Sequence, residues 1–199
     1  MKFEDYKMIF VSVGLIGILL IAVPALSAVI HFPNGEPFSE LYVLGPERTL
    51  ANYPSTVVSG QNYTVYVGVG NHMSSSIYYT IYVKFRNQTE FLPNATTGVP
   101  SPLQPLYEYR FFVESGQTWE SPLVFSISQA SLSGNQSMIQ RLTINNVTFN
   151  VNKTATIDTN SSLSCYQLFI ELWIYNPLSN SIQFNNRFVA MPFNLTVTT

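Results

Sequence analysis

From Phe38 onward the hydrophobic positions recur at every second residue. Val65, Val67 and Val69 alternate with Thr64, Tyr66 and Gly68; Ile77, Tyr79, Ile81, Val83 and Phe85 alternate with Tyr78, Thr80, Tyr82 and Lys84. A period of two predicts strands that set one face on a core. The same reading predicts strands at 39–44, 107–113, 122–128, 138–144, 147–151, 164–175 and 187–198. Within 164–175, Tyr166, Leu168, Ile170, Leu172 and Ile174 share one face, while Cys165, Gln167, Phe169, Glu171 and Trp173 share the other. No window after the N-terminal segment shows a helical stripe with caps. Strands punctuated by Gly, Asn and Pro predict a mainly β fold, an immunoglobulin-like β-sandwich.

The N-terminus follows another pattern. Met8 to Ile30 is a run of 23 residues without a charge. As a helix it would be about 34 Å long, enough for a hydrocarbon core of roughly 30 Å. Lys2 and Lys7 favour a cytoplasmic start, diluted by Glu4 and Asp5. Two readings stand. A retained anchor gives a single-pass membrane protein with its C-terminal domain outside, in contact with membrane lipid through 8–30. A cleaved signal peptide would break at Pro24 and be cut between Ser27 and Ala28, after small residues at Ala25 and Ser27, giving a secreted or cell-surface chain. The length of the run favours the anchor. The expected division is a tail at 1–7, the anchor or signal at 8–30, a linker at 31–37 and the sandwich at 38–199.

Composition narrows the function classes. Only 10% of the 199 residues are charged and Lys plus Arg total nine, so the clustered cations of a nucleic-acid footprint are not expected. The single cysteine, Cys165, excludes an intrachain disulfide and a cysteine metal site, and His31 and His72 do not suggest a histidine one. No cofactor is expected. Eight of the asparagines open Asn-x-Ser/Thr sequons: Asn62, Asn87, Asn94, Asn135, Asn146, Asn152, Asn160 and Asn194. That exceeds chance for 37 Ser and Thr residues, and it predicts an N-glycosylated exterior domain. Strand register agrees. If Val147, Phe149 and Val151 face inward, Asn146 and Asn152 face solvent; if Met191, Phe193 and Leu195 face inward, so does Asn194 face out.

Candidate chemistry is sparse. Glu114 and Glu120 could flank a turn at Gly116, but solvated strand-end charges explain them better than a carboxylate pair. His72 has no evident orienting carboxylate and reads as a turn residue. Gly68-Val69-Gly70 lies within a strand with no helix after it, so it is no dinucleotide loop. Cys165 reads as a thiol buried under a loop. The stretch 91–105, with Pro93, Pro100, Pro102 and Pro105, reads as a stiff surface loop bearing the Asn94 sequon. Tyr66, Tyr78 and Tyr82 point outward and would form an aromatic interaction surface if strands 63–70 and 77–85 pair. The chain is expected to be non-enzymatic.

The blocks Phe38 to Pro46, Ala51-Asn52-Tyr53-Pro54, Gly60 and Val65 to His72 resemble the archaeal domain-of-unknown-function family 1616. Weaker likenesses are Gly116 to Pro122 and Tyr166 to Tyr175. Met73 follows Asn71-His72 where the resemblance implies an acidic residue. The resemblance implies a membrane-associated protein of the archaeal cell envelope and no reaction. The residues that carry it read as fold-making: Gly45-Pro46 ends a strand, Tyr53 is restricted by Pro54, and Asn71 can bond the backbone two residues on. Two expectations of function follow. One is an anchored envelope protein with a structural, adhesive or assembly role, associating with itself or with other envelope proteins. The other is a secreted filament subunit that donates an N-terminal strand, from Ala28 onward, to a neighbour.

Overall fold

The computed structural model describes residues 3–29, 36–157 and 166–197. These fall into two compact units, Met1–Pro37 and Phe38–Thr199. In the first, α1 (Phe3–Val29) runs for 27 residues, on through Pro24, Ser27 and Ala28. Among the described residues no helix is long and apolar enough to cross a membrane. The span expected at 8–30 lies partly outside them, because side chains are described only for 6–20 and 23.

The second unit is mainly β. One sheet has the order β1-β3-β6-β7-β8 and is formed by β1 (Ser39–Leu44), β3 (Tyr63–Asn71), β6 (Thr118–Ser133), β7 (Gln136–Ile144) and β8 (Val147–Thr156). The other has the order β2-β10-β9-β4-β5 and is formed by β2 (Thr56–Val58), β4 (Ile77–Asn87), β5 (Tyr107–Val113), β9 (Tyr166–Asn176) and β10 (Ser181–Thr196). Their inner faces share one core. Val65, Val67, Leu123, Phe125, Leu142 and Ile144 meet Tyr79, Ile81, Val83, Phe85, Leu168, Ile170 and Phe193. The alternating residues of each strand thus face inward as their period demands.

Two features of the first sheet answer the sequence directly. The β7–β8 connection is the two-residue turn Asn145-Asn146, with φ of 46° and 67°. Asparagine tolerates that left-handed backbone, which matches the twist of a hairpin. Asn146 therefore sits in the turn between the strands expected at 138–144 and 147–151. A Cβ on Gly68 would lie 2.0 Å from the Tyr42 ring, which covers the glycine from the neighbouring strand.

Apolar burial does not by itself fix how two sheets align, because it has no direction. Three tyrosine hydroxyls of the second sheet supply direction. Tyr79 Oη lies 2.7 Å from Ser39 Oγ and donates to Asn71 Oδ1. Tyr166 Oη donates to the Ser137 carbonyl at 2.8 Å. Tyr109 Oη donates to the Pro122 carbonyl at 2.9 Å and accepts from Asn145 Nδ2 at 2.7 Å. Asn145 in turn accepts from the Val124 amide through Oδ1, which ties the β7–β8 turn to the sheet edge.

Burial holds the Tyr109 phenol neutral, with its pKa pushed up to about 12 despite the opposing Asn145 hydrogen bond; burial also raises Tyr79. The unfolded chain releases these protons near the ordinary value of 10.0, and the folded chain holds them longer. Their contribution to stability is therefore complete below pH 10 and is lost as pH rises toward 12. Denaturant midpoints are expected to fall across that window, and Tyr109→Phe to make the fall shallower. A wild-type midpoint that stays level to pH 12 would contradict the role given to these hydroxyls.

Candidate functional site

Period two turns Tyr78, Thr80, Tyr82 and Lys84 of β4 outward, and likewise Gln167, Phe169, Glu171 and Trp173 of β9. The antiparallel register sets Thr80 opposite Trp173, Tyr82 opposite Glu171 and Lys84 opposite Phe169. Lys84 and Glu171 are thus diagonal neighbours on the outer face, close enough for long side chains to meet. On a bare outer face both would be solvated. Instead their side chains are 4% and 0% exposed, and they form an ion pair at 2.8 Å.

The cover is the proline-rich stretch 91–105. Ser101 donates its amide to Glu171 Oε1 at 2.8 Å, and its carbonyl accepts from Lys84 Nζ at 2.9 Å. Glu171 Oε2 also accepts from Trp173 Nε1 at 2.9 Å. Each carboxylate oxygen is bonded, and the ammonium has two acceptors and the Trp173 ring at 6.0 Å. Buried charges need such complete pairing. The loop holds itself as well. Asn94 and Val99 exchange backbone hydrogen bonds, Ser101 Oγ donates to the Phe91 carbonyl, and Leu106 N donates to the Val83 carbonyl as β5 begins. At its far side Gly98, with φ of 71°, approaches Asn186 in the β10 bulge. The stretch expected to be a plain surface excursion is therefore a built part of the sandwich.

Between this loop and the sheet lies a cleft of about 300 Å³, with Tyr82 and Trp173 from the strands, Lys84 beneath, and 100–105 as its wall. The two rings meet edge to face at 5.2 Å, and Trp173 lies 5.9 Å from Phe184. Beside them Tyr78 packs on exposed Phe112 at 4.9 Å, and Arg110 pairs with Glu108 at 2.9 Å on the surface. Burial, with Glu108 adding to it, raises the Tyr82 phenol above its ordinary value.

The structure divides the expected tyrosine surface. Tyr78 and Tyr82 lie on β4 as neighbours of the cleft, but Tyr66 lies on β3 in the other sheet, under the Arg48 guanidinium at 4.6 Å. Strands β3 and β4 do not pair, so the three rings form no single patch. Trp173, on the second face of β9, takes the place of Tyr66 beside them. Of the sequon asparagines, Asn62, Asn94, Asn135, Asn146, Asn152 and Asn194 are exposed. Asn87 is half-buried and donates its Nδ2 to the Thr154 carbonyl at 2.8 Å. Asn160 and Cys165 lie outside the described residues. Glu120 pairs with Arg48 at 3.4 Å, whereas Glu114 is exposed on the turn after β5. His72 stacks on Phe38 at 4.4 Å and lies 3.3 Å from Glu40, so an orienting carboxylate does exist there, on the exposed surface. Among the described residues no group of three or more His, Cys, Asp or Glu is placed to hold a metal.

The motif residues prove to be structural. Asn71 is buried; its Nδ2 donates to the Ser75 and Val113 carbonyls, and its Oδ1 accepts from the Met73 amide. Tyr53 Oη donates to the Val43 carbonyl at 2.7 Å, and a Cβ on Gly45 would lie 1.9 Å from the Ala51 carbonyl oxygen.

A two-sheet β-sandwich with a loop clamped over one outer face is the class that these observations define. The chain belongs to the family described as Domain of unknown function (DUF1616), whose model matches residues 33–142. No curated protein matches it in sequence. Among solved structures it is similar to the CARDB domain of a Pyrococcus furiosus protein in complex with di-metal ions, at 7% identity and a TM-score of 0.39, over 80% of this chain and 89% of that one. It is also similar to a β-glucosidase from Listeria innocua in complex with glucose, at 10% identity and a TM-score of 0.37. That match covers 82% of this chain but only 17% of the enzyme. Likenesses this distant carry no inference about activity.

Lys84→Met is expected to strand Glu171 in the interior and cost about 3–5 kcal/mol of stability, read from denaturant unfolding. Replacing both partners, Lys84→Met with Glu171→Leu, should recover part of that loss. A single replacement within ~0.5 kcal/mol of wild type would show that the loop does not bury the pair in solution.

Proposed function

We propose that the chain is a non-catalytic exterior protein of an archaeal cell envelope, N-glycosylated and tethered by residues 8–30, with a structural, adhesive or assembly role. The observation that carries this reading is the exposure of six sequon asparagines on a sandwich that follows 23 uncharged residues. Glycans are bulky and belong on surfaces facing away from the cytoplasm. An apolar run of that length is what a membrane core selects.

One observation favours the filament reading. The strand β2 covers only Asn194–Thr196 of the 16-residue β10, and a cleft of about 410 Å³, lined by Tyr53 and Ser55, lies along Val189, Ala190, Met191 and Pro192. An unpaired strand above an apolar cleft can accept a further strand. Two facts weigh against it: Pro192 lacks a donor on that strand, and Ala28 lies within α1.

Intact mass and N-terminal sequencing of the native protein separate the two readings. A chain starting at Met1 in the membrane fraction supports the tether; one starting at Ala28 in the shed fraction removes it. Glycopeptide mapping is expected to find sugar at the six exposed asparagines and none at Asn87, whose amide nitrogen is already committed. A native chain with no added mass would remove the glycoprotein assignment.

A further inference from the structure

We propose that the cleft between Tyr82, Trp173 and the 100–105 wall binds a neutral sugar, a hexopyranose unit of a larger glycan. A pyranose ring has an apolar face of C–H groups and an edge of hydroxyls, so it needs an aromatic floor, a polar rim and no fixed charge at the base. The floor is Tyr82 and Trp173, in contact at 5.2 Å. Trp173 is held before any ligand arrives, because its Nε1 is bonded to Glu171 and Phe184 packs at 5.9 Å. A ring so held loses little freedom on binding, which leaves more of the contact energy for affinity.

The charges beneath the floor are spent. Lys84 and Glu171 neutralise each other, and their side chains are 4% and 0% exposed. Nothing there attracts a phosphate, a carboxylate or a cation, which selects against charged ligands. Around the floor stand groups that bond hydroxyls. Gln104 lines the wall with a carboxamide that both donates and accepts, and Glu108, opposite Tyr82 in the register, lies beyond the lining with its charge paired to Arg110. A cleft of about 300 Å³ is at the small end for ligand sites and suits one or two sugar units of a chain that runs on over the surface. Two sources offer this chemistry: the N-glycan of a second copy, or a separate envelope polysaccharide.

The test uses the full chain from a host without N-glycosylation, held in a detergent that contains no sugar. Cellotetraose and mannotetraose are titrated against it by calorimetry and by tryptophan fluorescence. Trp119 is stacked on Phe111 at 3.8 Å and serves as the constant background, so the changing signal reads Trp173. Saturable binding of at least one tetrasaccharide is expected, with none for an oligogalacturonate. Tyr82→Ala should weaken it about tenfold. Gln104→Ala, on the exposed wall, should weaken it with the melting temperature unchanged, which keeps the result readable if Tyr82→Ala unfolds. Absence of saturable binding, or binding indifferent to both variants, overturns the proposal, as does a preference for the acidic sugar. In a second arm, self-association of the naturally glycosylated chain that free tetrasaccharide reverses assigns the ligand to a neighbour's glycan. Tetrasaccharide binding without self-association assigns it to a polysaccharide. The titration reads neither the tether nor the sequons, so its failure leaves the envelope reading standing.

Discussion

The loop over the second sheet depends on one buried pair of charges, Lys84 and Glu171. Exposed at the same diagonal positions they would form a screened surface contact worth at most about 1 kcal/mol. Burial costs each ion several kcal/mol of hydration, so the pair persists only where all its hydrogen bonds are met. The backbone of Ser101 offers its amide to one ion and its carbonyl to the other, and Trp173 Nε1 bonds the second carboxylate oxygen. Pair and loop therefore require each other. A stretch with four prolines has few conformations to lose on ordering, which lowers the cost of holding it there. Phe169, opposite Lys84 in the register, is likewise fully buried on the outward side of β9, apart from the inter-sheet core.

Between the sheets the division of labour is different. The apolar residues supply most of the driving force, and they would tolerate several offsets of one sheet over the other. Tyr79, Tyr109 and Tyr166 do not, because each hydroxyl is buried or half-buried and has partners at one offset only. An unmet polar group there costs about 1–3 kcal/mol, so each misplaced tyrosine is a penalty on the wrong alignment. Asn71 acts in the same way at one end of the sandwich, joining the loop after β3 to the end of β5 through a single carboxamide.

Alternation made most strands legible, and it did so because burial on one face is what alternation records. It was silent where that condition fails. The strand β2 is three residues long and too short to show a period. The N-terminal half of β10 carries a bulge between Phe184 and Arg187 that breaks the count. The far end of β6, polar from Gln129 to Ser133 apart from Ala130 and Leu132, has little to bury. Faces were readable in another sense too: Tyr82, Lys84, Glu171 and Trp173 all fall outward by counting. What counting cannot give is which strands are neighbours. Consecutive strands usually lie side by side, and on that rule Tyr66 joined Tyr78 and Tyr82. Here β3 and β4 cross between sheets, and β4 instead meets β9, far along the chain. The cleft is a product of that long-range pairing, so no local pattern announced it.

This separation of fold from site bears on where function resides. The residues through which the chain resembles its family, Gly45, Tyr53, Gly68 and Asn71 among them, are occupied with close approaches and buried hydrogen bonds. None of these four lines the cleft at Tyr82 and Trp173, although Trp173 itself falls in the weaker likeness Tyr166 to Tyr175. That cleft draws its wall and one ring from within the matched residues 33–142, but Glu171 and Trp173 lie beyond them. A chain could keep every fold-making residue and lose the clamp by a change at Glu171 alone. The matched residues hold close approaches and hydrogen bonds of the sandwich, whereas the aromatic cleft follows from how the last two strands complete the second sheet. Folds host sites without dictating them, and in this protein the boundary between the two can be drawn residue by residue.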